Sequence, residues 1–434
     1  MSRISLAPYI ELARTFDPVE VSGRVTRVIG LTVEAVGLEL PVGELCRIGE
    51  DPPVVAEVVG FRDEVAILLP LGDLSGVAPG QRVVPTGRAH LVGVSWGLLG
   101  RVLDGLGRPL DGKPLPPPEA WYPVNGSPPN PLARRRIKEV LPTGVRAIDA
   151  LLTLGQGQRM GIFSGSGVGK STLLGMIARH TQADVNVIAL IGERGREVLD
   201  FMEKDLGPRG LAKSVVVAAT SDQPALVRIK GAFVATAIAE FFRDQGAHVV
   251  LMMDSLTRLA MAQREVGLAV GEPPTARGYT PSVFALLPRL LERAGKTARG
   301  SITGLYTVLV DGDDFNEPIS DAARSILDGH IVLSRRLAAR NHFPAIDVSA
   351  SVSRLMSEVV TPEHREAAAG VRELLAAYEQ SEDLISIGAY QRGTNPKVDA
   401  AIDKYPDIMK FLRQDMEEGS TFEEALEGLK ALVT

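Results

Sequence analysis

Ser164-Gly165-Ser166-Gly167-Val168-Gly169-Lys170-Ser171-Thr172 lies between the apolar run Met160-Gly161-Ile162-Phe163 and the helix-like Leu173-Leu174-Gly175-Met176-Ile177-Ala178. Strand, glycine-rich turn and helix in that order read as a phosphate-binding loop. Glycines let several backbone N–H groups converge on one anion with no Cβ in the way, and the helix that follows aims its positive end at the same point. Gly165, Ser166, Gly167, Val168, Gly169, Lys170, Ser171 and Thr172 are therefore the expected nucleotide-binding set. Lys170, expected on an exposed loop, would reach the β- and γ-phosphates, and Ser171 would ligate Mg²⁺. Ser164 departs from the G-x-x-x-x-G-K-[ST] pattern, standing where the first glycine belongs. The bland alternative is a glycine-rich turn beside a chance lysine.

At 434 residues the chain exceeds one ordinary core, so two or three domains are expected. An apolar content of 45% excludes wholesale disorder, and no apolar run approaches the roughly 18 residues of a bilayer span. The first residues lack the apolar core of a secretory signal, and Cys46 stands alone, which points to a soluble protein of the cytoplasm. A formal net charge of -6 argues against coating nucleic acid.

Outward from the loop, the chain divides into an N-terminal segment 1–18, a small β-barrel 19–90, a nucleotide domain 91–360 and a helical domain 361–434. Short apolar runs such as Arg24 to Val28, Val54 to Val59 and Val65 to Leu69, separated by Gly or Pro, carry the barrel reading. A proline-rich connector, 105–135, ends in Arg134-Arg135-Arg136, read as a solvated or interdomain face before a binding patch. Beyond Gly144, short and wholly apolar strands are expected at Met160 to Ser164, Asn186 to Ile191, Ser214 to Ala219, His248 to Asp254, Gly304 to Val310 and Ile331 to Ser334. That pattern belongs to a parallel sheet covered on both faces, an α/β fold. Leu226, Ile229, Phe233, Ala237 and Phe241 recur at helical spacing until Gly246.

Phosphoryl transfer needs neutralised charge, an in-line water and a group that orients it. The strand Val249 to Asp254 ends in a carboxylate at the edge where the phosphate loop sits, placing Asp254 to hold Mg²⁺; alternatively it caps a turn with Ser255. Ile188 to Ile191 delivers Glu193 to the same edge, where it would polarise the attacking water. In isolation, Glu193 reads first as part of a surface ion network with Arg194 or Arg196, ahead of catalysis. Glu197, deeper in the following helix, is the second choice of base.

Gly144-Val145-Arg146-Ala147-Ile148-Asp149, the phosphate loop, Gly192-Glu193-Arg194-Gly195-Arg196-Glu197, Asp254-Ser255-Leu256-Thr257-Arg258 and Ser351-Val352-Ser353-Arg354-Leu355-Met356 together resemble the rotary ATP synthase catalytic-subunit superfamily. Within it, Pro128-Pro129-Asn130-Pro131, Gly161 to Ser171 and Gly278-Tyr279-Thr280-Pro281-Ser282-Val283-Phe284 most resemble the flagellum-specific ATPases of type III export, with injectisome ATPases close by. The resemblance implies a β-barrel, a RecA-like P-loop domain and a C-terminal helical domain, assembled as a homohexamer with Mg-ATP sites between subunits. It makes Arg354 an arginine finger for the neighbouring site and sets Phe343 against adenine, where a plain core phenylalanine is the alternative. The expected catalytic set is then Lys170, Glu193, Arg194 and Arg354, with Ser171 and Asp254 on the metal.

The same likeness implies a cytoplasmic enzyme peripheral to the inner membrane face, working with a regulatory stator-like protein, membrane proteins of the export gate and substrate–chaperone complexes. It implies no nucleic acid. A catalytic subunit of a rotary synthase is the second reading, although such a subunit alternates with a partner carrying an amide at the Glu193 position. A terminator-type RNA translocase is the third, disfavoured because residues 19 to 86 hold Phe61 and no Trp or Tyr. Asp311, Asp313 and Asp314, with Asn316 and Glu317, read as a switch or interface loop, not a second metal site. The loop from Arg264 to Tyr279 is placed by the resemblance at a central channel. The resemblance also allows Ile4 to Leu12 a short amphipathic helix, which Pro8 interrupts.

Overall fold

The computed structural model describes residues 21–310, 315 and 317–433. The segment 1–18 and the loop residues Asp311, Asp313, Asp314 and Asn316 lie outside them. Two compact units emerge, one reaching to His90 and including Ala269–Gly271, the other comprising the remainder.

In the first unit six strands close a barrel: β1 (Gly23–Ile29), β2 (Thr32–Val36), β3 (Glu44–Ile48), β4 (Val54–Arg62), β5 (Val65–Pro70) and β6 (Arg82–Ala89), paired in the order β1-β2-β5-β4-β3-β6. Alternate residues face inward, so Val25, Val33, Ala35, Ile48, Ala56, Val58, Leu68 and Val83 fill the interior. Cys46 is among them, its thiol pushed up to about 12 by burial, which leaves it inert.

The second unit begins with β7 (Leu91–Val94), β8 (Val102–Asp104) and β9 (Ala120–Pro123), where β7 and β9 make a separate antiparallel pair. Its main sheet adds β10 (Arg159–Ser164), β11 (Val185–Ile191), β12 (Ser214–Ala219), β13 (His248–Asp254), β14 (Gly295–Lys296), β15 (Ser301–Leu309), β16 (Gly329–Leu333) and β17 (Ile346–Ser353). The order is β17-β16-β10-β15-β13-β11-β12-β8, with β14 set against β15. From β16 to β8 the neighbours are parallel, and β11 and β12 are buried at every residue, because helices cover both faces. Only β17 and the short β14 run antiparallel to their neighbours. Edge strands β8 and β17 were not expected: one is three residues long, the other reads Asp-Val-Ser-Ala-Ser-Val-Ser along most of its length, with no apolar run.

The expected helix through Leu226 runs Ala225–Asp244, starts behind Pro224 and stops before Gly246, whose φ is +97°. Helices Pro362–Ser386, Pro396–Leu412 and Phe422–Val433 follow the sheet, the first capped by Thr361 accepting from the His364 amide. They share one core with the nucleotide-binding part: Val371, Leu375, Ile408 and Leu429 pack in the same cluster as Ile148 and Leu151. Arg372 donates to the carbonyls of Leu151 (2.9 Å) and Val348 (2.7 Å), which ties the long helix to the sheet.

The proline-rich connector is anchored by ions. Arg134, instead of facing solvent, donates to the Ala294 carbonyl at 2.8 Å and pairs with Glu292 at 3.0 Å. Arg293 is fully buried; it forks onto Glu240 at 2.9 and 2.5 Å and donates to the Val124 carbonyl at 2.7 Å. Removing one member of such a pair strands a buried charge. Arg293→Ala should cost about 3–5 kcal/mol, visible as a lower urea midpoint, and an unchanged midpoint would contradict this role.

Candidate nucleotide site

The loop after β10 leads into helix Lys170–His180, whose N-cap is Gly169 at φ +90°, with no side chain capping the first turn. Those first amides are therefore left for a ligand, and Gly167 (φ +77°) turns the chain so that they converge. A Cβ on Gly165 would lie 2.5 Å from Arg335 Nε, so a side chain there would push the Arg335 guanidinium aside. Val168 points inward instead and is buried, so it supplies its backbone alone. Ser164 ends β10 with its hydroxyl buried and unpartnered among the described residues.

Lys170 is not on an exposed loop. It opens the helix, and its side chain is only 13% exposed because Nζ donates to Asp254 Oδ1 at 2.5 Å and lies 3.7 Å from Glu193 Oε1. Three strands assemble this contact. Asp254 ends β13 and Glu193 follows β11, while β15, wedged between β10 and β13, offers the Thr307 hydroxyl to Asp254 at 2.8 Å. Burial pulls the ammonium down, but the carboxylates of Asp254 and Glu193 outweigh it and hold Lys170 above the usual lysine range.

The alternatives for the two carboxylates can now be decided on geometry. Ser255, not Asp254, caps the next helix by accepting from the Arg258 amide, although that bond is long at 3.3 Å. Arg194 and Arg196 pair with Glu197 and Asp200, leaving Glu193 turned inward. Burial, reinforced by the Asp254 charge, pushes the Glu193 carboxyl up to about 7. Its hydrogen bond with Glu197 in turn holds Glu197 below the ordinary range. Glu193 therefore exists as an acid beside an ionised Glu197 until neutral pH. Gly192 (φ +72°) permits the approach of Arg258, whose Cβ would otherwise clash.

These groups line a cleft of 530 Å³ together with Ser171, Thr172 and Arg194. Arg194 is an exposed rim residue, 77% accessible. Phe343 is no core residue: 42% exposed, it sets its ring edge 3.5 Å from where a Gly169 Cβ would stand. Arg258, which lines the cleft, and two residues behind its wall escaped sequence reading. Thr307 is a hydroxyl within the mostly apolar stretch Gly304 to Leu309, Arg258 sits one helical turn past Asp254, and Asp205 hydrogen-bonds Thr172 from the π-helical turn Phe201–Leu206. The first two carried a signal, a polar side chain breaking an apolar run and a motif position; Asp205 carried none.

The cradle, the lysine and an acid paired with a hydroxyl fit a triphosphate and a divalent cation. Unpartnered buried atoms on the wall, Ser164 Oγ and Arg258 Nε, agree with a polar occupant. Arg354 is elsewhere. Its amide donates to the Asp328 carbonyl at 3.0 Å, at the end of the sheet where β10 begins. Six residues of strand separate it from the loop, about 17 Å, so it cannot reach phosphates bound by its own chain.

Residues 144–353 match the nucleotide-binding domain of the ATP synthase alpha/beta family, 25–87 its beta-barrel domain, and 360–431 the EscN-type C-terminal domain of type III secretion ATPases. A flagellum-specific ATP synthase of Bacillus subtilis is 56% identical over all of this chain and 99% of its own. The chain belongs to the ATP synthase alpha/beta family, in its flagellar and type III secretion branch. A type 3 secretion system ATPase of Xanthomonas euvesicatoria is 52% identical over 94% of this chain and 93% of its own. In structure, the assembled ATPase EscN of enteropathogenic E. coli matches with a TM-score of 0.91 at 48% identity, over 95% of this chain and all of EscN. The family makes the chain an ATPase, so the nucleotide it uses is ATP.

The raised Glu193 carboxyl sets two expectations. An unionised acid cannot polarise water, so kcat/KM should climb with pH through about 7; a flat profile between pH 6 and 8 would remove Glu193 from that role. A folded-state acid with a raised pKa favours folding when protonated, so wild type should lose stability relative to Glu193→Gln as pH rises from about 4.5 to 7. Melting curves at both ends of that window test it.

Proposed function

We propose that this chain hydrolyses Mg-ATP at sites completed by a second copy in a head-to-tail homohexamer, and that turnover energises type III protein export, in the first instance that of the flagellum. The observation that carries it is the division of the machinery between the two ends of one parallel sheet. The phosphate loop, Lys170, Glu193 and Asp254 lie at one end and Arg354 at the other. A head-to-tail ring brings the second end of one subunit to the first end of the next.

In this reading the phosphates enter the cradle and Lys170 exchanges Asp254 for their oxygens. Asp254 and Ser171 would then hold Mg²⁺, which would supply positive charge to the bound phosphates. Glu193 orients a water in line with the γ-phosphorus; the new P–O bond forms as the bond to the β–γ bridging oxygen breaks. Arg354 of the neighbour offsets charge on the transferring group, an effect of roughly 10³–10⁵ in rate in other NTPases. Phe343 lies flat against adenine.

The full-length likeness to a flagellar protein favours flagellar service, and the likeness to an injectisome ATPase supplies the second reading. EscN has been described with its central stalk EscO, which supports a stalk partner here as well. Among the described residues no helix is long and apolar enough to cross a membrane. We therefore place the protein in the cytoplasm, held at the membrane by the stator-like protein, gate proteins and substrate–chaperone complexes it serves.

A Lys170→Ala chain, expected to lose about 10²–10³ in rate alone, and an Arg354→Ala chain, expected to lose about 10³–10⁵, should regain part of the activity when mixed. Absence of recovery in proven mixed assemblies would place the whole site within one chain. For the export role, cells carrying Glu193→Gln should be non-motile; normal filaments without hydrolysis would separate turnover from export.

A further inference from the structure

Gln158 is wholly buried and lies outside the cleft, yet it makes three side-chain hydrogen bonds. Its Oε1 accepts from the Gly155 amide at 2.9 Å, which fixes the direction of the carboxamide. Its Nε2 donates to the Asp328 carbonyl at 3.1 Å and to Ser353 Oγ at 3.0 Å. The same Asp328 carbonyl accepts the Arg354 amide, and Ser353 immediately precedes Arg354. The single amide group thus holds Ser353 directly and shares with the Arg354 amide the carbonyl that receives it.

The surroundings stiffen this grip. Ser353 Oγ donates to the Thr153 carbonyl at 2.9 Å. The Asp328 carboxylate accepts from the Arg159 amide at 3.0 Å and from its guanidinium at 3.1 and 3.2 Å, and the Asp328 amide returns a bond to the Arg159 carbonyl at 2.8 Å. Gly329 has φ +149°, and a Cβ there would lie 2.4 Å from the Val352 carbonyl oxygen, so β16 and β17 close tightly just before Arg354. By contrast, among the described residues the Arg354 side chain has one hydrogen bond, to the Arg324 carbonyl at 3.1 Å. A fully satisfied buried network of this kind rigidifies the backbone from which the exposed Arg354 side chain projects.

We propose that Gln158 is the positioning residue for Arg354, setting where the guanidinium meets the phosphates of the adjacent subunit. The proposal rests on the shared-site reading above. Misplacement of a reacting group by about 1 Å costs up to roughly 10² in rate, so loss of the grip is read in turnover while nucleotide affinity stays with the cradle.

Mixed assemblies isolate the effect. In one arrangement Gln158→Met is placed on the Arg354→Ala chain, which holds nucleotide; in the other it is placed on the Lys170→Ala chain, which donates the arginine. The first should match the parent mixture within about twofold, and the second should fall about tenfold to 10²-fold in kcat, with binding of a fluorescent ATP analogue unchanged. Ser353→Ala, a milder change, should show the same asymmetry with a smaller loss. Equal loss in both arrangements, in chains that remain folded and assembled, would reduce Gln158 to a stability role and overturn the proposal. So would full activity in both. Failure of the parent mixture, where Gln158 is intact, would instead overturn the shared site, and this proposal with it.

Discussion

A buried ammonium held between two carboxylates organises the nucleotide end of this molecule. Lys170 reaches Asp254 directly and stands near Glu193; Lys170 begins a helix, Asp254 ends a strand of the parallel sheet, and Glu193 lies in the turn after another. Removing such a charge from water is costly unless partners compensate, and here the partners come from β13 and from the turn after β11. The sheet register therefore has to be correct before the lysine can be satisfied. In return, the lysine gathers the groups that a triphosphate needs.

The same contact explains the different behaviour of the two acids. Asp254 is bonded to the ammonium and to Thr307, so its charge is accommodated by hydrogen bonds on both sides. Glu193 sees that charge from nearby, has the ammonium only at 3.7 Å, and shares a proton with Glu197. Similar residues thus differ in their surroundings: Asp254 is bonded on both sides, while the Glu193 carboxyl is pushed up to about 7 by burial and by the neighbouring charge.

The phosphate loop, Glu193 and Asp254 were legible in the amino-acid order because each follows an apolar strand, and a strand's end is a local feature. The barrel and the all-apolar central strands were legible for the same reason. What escaped depends on register between distant segments. Thr307 meets Asp254 only because β15 lies beside β13, and Gln158 meets Ser353 across nearly two hundred residues. The burial of Lys170 escaped as well, since nothing in a glycine-rich loop announces the acids folded over it. Strands β8 and β17 lacked an apolar run, the one too short and the other exposed at alternate positions.

Arg354 stands a full strand length from the phosphate loop of its own chain. In the proposed scheme a solitary copy can hold ATP while lacking the cation that would hasten its cleavage. Newly made protein adrift in the cell would then leave the fuel supply untouched, and consumption would start only where copies are gathered into a closed circle.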